Sequence, residues 1–283
     1  MRFVLSLLII NAILVSGCIN SPAPRVIGRD ADFFQSTTAT VRELESAVVS
    51  RVVDGDTVEL TTGEKVRLLG INAPEDGQRH CGEATDRLKE LVLGKEVQLE
   101  RDITDKDGHG RLLRYVFVNN ENVNVKIVRD GLANVFIIEP DDRYEKELRM
   151  AESLAKNEGI GIWKRSADAC ADCIVVSYFH WNAKGDDRKN LNDEYVTIEN
   201  ECNFSCNLTN WSIGDEALHT YAFPEFVLGE NENVTICTGS GDDGESKLYW
   251  KSKTPIWNNE NGDALFLRDK NGDLVLYYHY EGY

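Results

Sequence analysis

The stretch V-R-L-L-G-I-N-A-P-E, residues 66–75, decides how the first half of this 283-residue chain is to be read. It is an apolar strand pattern with a guanidinium, Arg67, near its start, and it runs out through Asn72, Ala73 and Pro74 to the carboxylate of Glu75. Two readings are open at this point. Arg67 is an outward residue of a half-buried strand and Glu75 an ordinary loop acid, or the strand aims both at one target. Neighbouring segments share a theme: V-D-G-D-T-V (53–58) sets Asp54 and Asp56 around a glycine turn, and D-K-D-G-H-G-R-L-L-R-Y (105–115) puts Arg111 at a loop-to-strand junction. Carboxylate and amide oxygens gathered on turns suit Ca²⁺, which takes about 6–8 oxygen ligands. Two arginines beside such an ion suit a phosphate, whose oxygens they clamp.

Outward from this stretch, alternation starts at Glu45 and turns through D-G-D-T and T-T-G-E, a meander of short strands. Residues 82–94 have helical spacing, with Leu88, Leu91 and Val92 on one face and Gly94 past the end. Residues 95–101 and 111–118 read as strands, 124–131 as a helix ending in glycine, 132–138 as apolar and β-rich, and 142–157 as an amphipathic helix stopped at Gly159. Five short strands with helices between and after them predict a small closed sheet. From Ile174 the pattern becomes short alternating strands broken by turn residues, which predicts a β-sandwich and a boundary near 165–173. Asn271-Gly272 reads as a hairpin turn, Trp211, Trp250 and Trp257 as core aromatics, and His109 as a solvated loop residue.

Net charge is −17, distributed as +1 over residues 1–44 (four Lys/Arg, three Asp/Glu), −6 over 45–168 (19 against 25) and −12 over 169–283 (8 against 20). Such acidity excludes nonspecific nucleic-acid binding through a broad basic face, though not a small metal-assisted phosphate site. Residues 3–15 are mostly apolar, too few to span a bilayer but suited to a signal sequence. The V-S-G-C that follows resembles a prokaryotic lipobox, which implies cleavage before Cys18 and a lipid on it. Residues 19–44 then read as a flexible tether. Six other cysteines remain, and on an exported chain an even number predicts disulfides. Cys170-x-x-Cys173 and Cys202-x-x-x-Cys206 also have zinc-ligand spacing. The pairing expected is Cys81 with the Cys170/Cys173 pair, and Cys202, Cys206 and Cys237 sharing the other links. Sequons stand at Asn203, Asn207, Asn210 and Asn233.

The run from about Glu45 to Arg165 resembles the staphylococcal nuclease (thermonuclease) family. D-G-D-T, R-L-L-G-I-x-A-P-E, the loop arginine before L-L-R-Y, V-R-D-G-L-A and A-E-S-L-A-K-N-E-G-I-G-I-W occur in that order. The resemblance implies a five-stranded OB-fold barrel with helices, and Ca²⁺-dependent hydrolysis of DNA and RNA phosphodiesters. It implies Asp56 as the principal metal carboxylate with Asp54 close by, Asn72 and the Ala73 carbonyl as further metal ligands, Glu75 as the acid that orients or deprotonates water, and Arg67 and Arg111 as phosphate-binding arginines. Asn72 departs from the pattern: many members have an aspartate there, so a negative charge is missing. The loop before Arg111 has two extra residues. The tyrosines that pack around nucleotide in the family are replaced, with Ile137 and Glu139 in that region.

Residues 174–283 resemble the lamin tail domain, an immunoglobulin-like sandwich, through L-N-D-E-Y-V-T-I-E-N, L-T-N-W-S-I-G-D-E, Y-A-F-P-E-F-V-L-G-E-N and P-I-W-N-N-E-N-G-D-A-L-F-L-R-D-K-N-G-D-L-V. The expected organisation is a signal over 1–18, a tether over 19–44, an α+β nuclease-like domain over 45–168 and an all-β sandwich over 169–283. The expected protein is a monomeric nuclease, lipid-anchored at the outer membrane face or secreted, whose sandwich attaches to a partner the sequence does not name. On that reading, loss of residues 174–283 leaves cutting intact. The rival readings are an OB module that holds nucleic acid without cutting it, and an envelope adhesin built around the sandwich.

Overall fold

Five strands build the first half: Leu44–Val52, Thr57–Leu60, Lys65–Leu68, Glu96–Glu100 and Leu112–Val118. The structure, a computed structural model, describes residues 44–282, so the signal, the lipid on Cys18 and the tether lie outside the described residues. Strand side chains alternate between faces, which sends Val58 and Leu60, Val66 and Leu68, and Val97 and Leu99 into one core. Antiparallel pairing links the strands into a sheet, and a parallel pairing of Lys65–Leu68 with Leu112–Val118 closes it into the expected barrel.

Helix α1 (Cys81–Val92) buries Ala84, Leu88 and Val92 against that barrel. Helix α2 (Val123–Arg129) is capped by Asn122, whose side chain accepts from the Val125 amide. Helix α3 (Glu145–Glu158) ends on Gly159 in the left-handed conformation that favours glycine. It starts three residues later than its periodicity predicts. Arg143, in the turn before it, is drawn away to Glu100 at 3.1 Å and Asp102 at 3.2 Å. The β-rich run 132–138 yields only the two-residue strand Asn134–Val135, which pairs with Ile71–Asn72.

The second half is a sandwich of two four-stranded sheets. One contains Ile174–His180, Tyr195–Asn200, Asn233–Cys237 and Lys247–Tyr249; the other contains Ser212–Gly214, Thr220–Ala222, Asp263–Arg268 and Leu274–Tyr280. Trp211 and Trp257 are buried between them and Trp250 packs against the same cluster. The chain reverses at Asn271-Gly272, where the Asp269 and Asp273 backbones bond across the turn at 2.9 Å.

The expected disulfide pairing is wrong. Cys170 bonds Cys206, Cys173 bonds Cys202, and among the described residues Cys81 and Cys237 are free. Antiparallel pairing of Ile174 with Asn200 lays the 170–173 turn beside 201–206, with the Glu201 amide on the Cys173 carbonyl at 2.9 Å. Cys81 opens α1 on the barrel, away from that turn.

The two halves meet over a small apolar core of Ala155, Ile162 and Trp163 from one and Ala264, Phe266 and Leu274 from the other. Residues 164–166 run alongside Leu274, bonding it at 2.8 Å on both sides. Arg268 donates to the Ile162 carbonyl at 2.6 Å. Within the barrel half, Gly161 lets the turn that carries Ile162 and Trp163 lie against the end of α2: a Cβ there would collide with the Gly131 carbonyl, and both glycines have positive φ.

Candidate active site

Barrel register brings the site together. Antiparallel pairing sets Thr57 opposite Arg67, so a side chain on Arg67, pointing away from the Val66/Leu68 core face, reaches the turn at Asp56. Its Nε lies 3.0 Å from Asp56 Oδ1. Nη1 donates to the Leu68 and Ile71 carbonyls at 2.7 and 2.8 Å, and Nη2 to Asn72 Oδ1 at 2.8 Å. The other Asp56 oxygen accepts from the Ala73 amide at 2.8 Å, and Thr57 Oγ1 donates to Oδ1 at 3.0 Å. Asp54 accepts from the Asp56 amide at 3.1 Å. Arg111 reaches the same dipeptide, its Nη1 3.5 Å from Thr57 Oγ1 and its Nε held by Asp107 at 2.6 Å.

Six of the seven residues singled out in the sequence therefore form one bonded string: Asp54, Asp56, Arg67, Asn72, Ala73 and Arg111. Glu75 stands two residues beyond Ala73, exposed, and its carboxylate has no hydrogen bond or ion pair among the described residues. His109 is exposed, as expected. A guanidinium has five N–H donors. Among the described residues those of Arg67 are all but spent, with one N–H of Nη2 left over, whereas Arg111 keeps three. Arg111 is the freer clamp for an incoming anion.

The donor chemistry fits a hard divalent cation. Asp56 is 5 % exposed, and burial holds its carboxyl well above the ordinary carboxylate range despite the Arg67 guanidinium, with Asp54 pushing the same way. A buried carboxylate beside a second acid is stabilised as an anion by an added positive charge. Asp54, Asn72 Oδ1 and the Ala73 carbonyl are the further oxygens on the same turns.

Residues that sequence reasoning missed come from the sandwich. Asn72 Nδ2 donates to the Glu216 carbonyl at 3.1 Å, and Asn134, its strand partner, donates to the same oxygen at 3.1 Å. The amide at position 72 is thus a docking group as well as an oxygen donor. An aspartate would set a carboxylate against that carbonyl. Asn72→Asp is expected to bind Ca²⁺ more tightly yet lower unfolding stability by about 1–3 kcal/mol, the cost of a buried carboxylate oxygen turned without a donor toward the Glu216 carbonyl, which keeps Asn134 as its partner. Calorimetric titration and denaturant unfolding of the same variant check the two signs.

Glu216 also makes this joint sensitive to pH. Burial raises its carboxyl to about 7, with Asp263 and Glu152 adding to the rise and Arg149, 3.8 Å away, and Lys156 opposing it. Asp263 accepts from the Glu216 amide at 3.1 Å and is itself raised to about 7 by burial and by Asp215. An acid whose folded pKa is raised contributes stability that is complete below its unfolded pKa, near 4, and is lost as pH rises through 7. Glu216→Gln is therefore expected to melt higher relative to the parent at pH 8 than at pH 5, as thermal scans at both values would read.

Comparison with known proteins follows the same division. Residues 65–165 match the family described as staphylococcal nuclease homologue, and 166–282 match the lamin tail domain. A thermonuclease of Staphylococcus intermedius is 33 % identical over 171 residues, covering 57 % of this chain and 96 % of the relative. Endonuclease YncB of Bacillus subtilis is 35 % identical over 136 residues, 44 % of this chain and 64 % of the relative. Endonuclease YhcR of Bacillus subtilis is 32 % identical over 253 residues, 82 % of this chain. That alignment is longer than either half, so it crosses the junction, but it spans 19 % of the relative.

Proposed function

Because the chain belongs to the staphylococcal nuclease family and carries a lamin tail domain behind the barrel, we propose that it is a Ca²⁺-dependent nuclease hydrolysing phosphodiester bonds of DNA or RNA. The observation that carries the reading is that Arg67 and Arg111 both reach Asp56-Thr57, Arg67 Nε 3.0 Å from Asp56 Oδ1 and Arg111 Nη1 3.5 Å from Thr57 Oγ1, while Glu75, two residues beyond Ala73, makes no side-chain hydrogen bond or ion pair among the described residues. Asp56, Asp54, Asn72 and the Ala73 carbonyl would hold the cation. When bound, Ca²⁺ offsets phosphate charge and polarises the oxygen it touches.

The remaining work belongs to side chains. Arg111, with three N–H groups spare among the described residues, clamps the non-bridging phosphate oxygens, and the last N–H of Arg67 Nη2 adds a further donor to them. Both are positioned where negative charge grows as phosphorus becomes five-coordinate. Glu75 accepts a proton from the attacking water, which its exposed carboxylate is open to meet. The lipobox-like sequence at Cys18 supports export and tethering to the membrane face, so that the enzyme cuts extracellular nucleic acid near its anchor.

The test is digestion of single- and double-stranded DNA and of RNA by the full chain in Ca²⁺, with and without chelator. Cleavage is expected in Ca²⁺, near-complete loss on chelation and recovery on adding Ca²⁺ back. Activity that survives chelation would remove the metal from the proposal. Failure to cut any of the three substrates would leave the non-catalytic binding module as the better reading.

A further inference from the structure

Glu75 lies midway between two residues that bond to the sandwich. Asn72, three residues before it, donates to the Glu216 carbonyl at 3.1 Å, and Gln78, three residues after it, directs its amide at the Leu218 carbonyl (3.5 Å) and the Thr220 hydroxyl (3.3 Å). Gln78 also holds Glu75 itself. Its Oε1 accepts from the Glu75 amide at 2.8 Å, while its own amide bonds the Glu75 carbonyl at 2.9 Å. One side chain therefore ties the Glu75 backbone on one end and the lamin tail domain on the other.

The receiving loop is built to stay still. Asp215 caps it, accepting from the His219 amide at 2.7 Å and bonding the His219 ring at 2.6 Å. Leu218 is held at φ +67, a left-handed conformation that a leucine adopts only when its surroundings impose it. Immediately after Gln78, Arg79 donates to the Asn271 carbonyl and lies 2.9 Å from Asp273. That approach needs Gly272, where a Cβ would come within 2.8 Å of the Arg79 side chain. His80, next in sequence, is also left-handed at φ +67. The whole segment 72–80 is thus pinned at three points to the other domain.

We propose that the lamin tail domain is part of the catalytic apparatus: through Gln78 it fixes the loop that carries Glu75, and Gln78 is a positioning residue for that carboxylate. The proposal rests on the reading of Glu75 as the acid that handles the attacking water. An acid on a free loop samples many positions, and a misplacement of about 1 Å can lower turnover by about 10²-fold. Three anchors on a folded domain remove that freedom before substrate arrives. The arrangement also explains why position 72 is an asparagine, since only an amide can bond Arg67 through its oxygen and the Glu216 carbonyl through its nitrogen.

The experiment is a double-mutant cycle on the full chain in Ca²⁺ with a fluorogenic DNA oligonucleotide. Gln78→Ala is expected to lower kcat at least about 10-fold with little change in KM, and to speed amide hydrogen exchange at Glu75. Asp273→Asn, which weakens the Arg79 anchor from the sandwich side, is expected to shift kcat in the same direction. Adding Gln78→Ala to Glu75→Gln is expected to cost nothing further, because the positioned group is already gone. Additive losses, or Gln78→Ala and Asp273→Asn variants that turn over like the parent while Glu75→Gln is inactive, would overturn the proposal. Full activity of Glu75→Gln would instead overturn the reading of Glu75 on which it stands.

Discussion

Glu75→Gln is expected to lower kcat for phosphodiester cleavage by about 10²- to 10⁴-fold, the range for loss of a positioned general base, with the melting temperature unchanged. The carboxylate is exposed and bonds nothing among the described residues, so its removal touches only chemistry. Arg67→Ala should behave differently. Its guanidinium is 14 % exposed and serves Asp56, two backbone carbonyls and Asn72. Without it, a buried carboxylate is left uncompensated, at a cost of about 3–5 kcal/mol. Activity and stability are therefore expected to fall together. Arg111→Ala sits between them, since its guanidinium is about one-third exposed and its structural partner is the neighbouring Asp107. Steady-state kinetics and urea unfolding on the three variants separate the roles. Equal losses of stability in Glu75→Gln and Arg67→Ala would mean that the two side chains are not divided between chemistry and scaffold as described.

This division was only partly legible in the sequence. Period-two alternation and turn chemistry act over a few residues, so the strands around Arg67 and the Asn271-Gly272 hairpin could be read directly. The convergence of Asp56, Arg67 and Arg111 depends on barrel register, which residue spacing alone does not disclose; the order of motifs supplied it by resemblance. Nothing local marks Glu216 or Leu218, because they act through backbone carbonyls that every residue possesses. Gln78 looks like any polar loop residue until its partner 140 positions away is in place. The disulfides failed for the same reason: Cys81 and Cys173 are both plausible partners in a list of cysteines, and only the pairing of Ile174 with Asn200 chooses.

Trp163→Ala is expected to cost about 3–5 kcal/mol, the range for truncating a buried aromatic, and to lower activity with it. The indole is buried, lies 5.6 Å from Phe266 and 5.5 Å from Tyr277 between ring centroids, and carries the Lys156 ammonium 4.4 Å above its face. Phe266 and Tyr277 belong to the sandwich and Lys156 to α3, so the cavity would open at the joint and not inside either core. The same packing bears on the expectation that the barrel keeps cutting after loss of residues 174–283. That truncation strips Phe266, Leu274 and Tyr277 from Ile162 and Trp163, and removes the carbonyls that Asn72 and Gln78 bond. Guanidinium unfolding followed by tryptophan fluorescence and by loss of activity reads the consequence. The parent is expected to show coincident transitions, and Trp163→Ala a lower midpoint at which activity disappears before the sandwich unfolds. A variant with the parent's midpoint and turnover would mean that the joint carries neither stability nor catalysis.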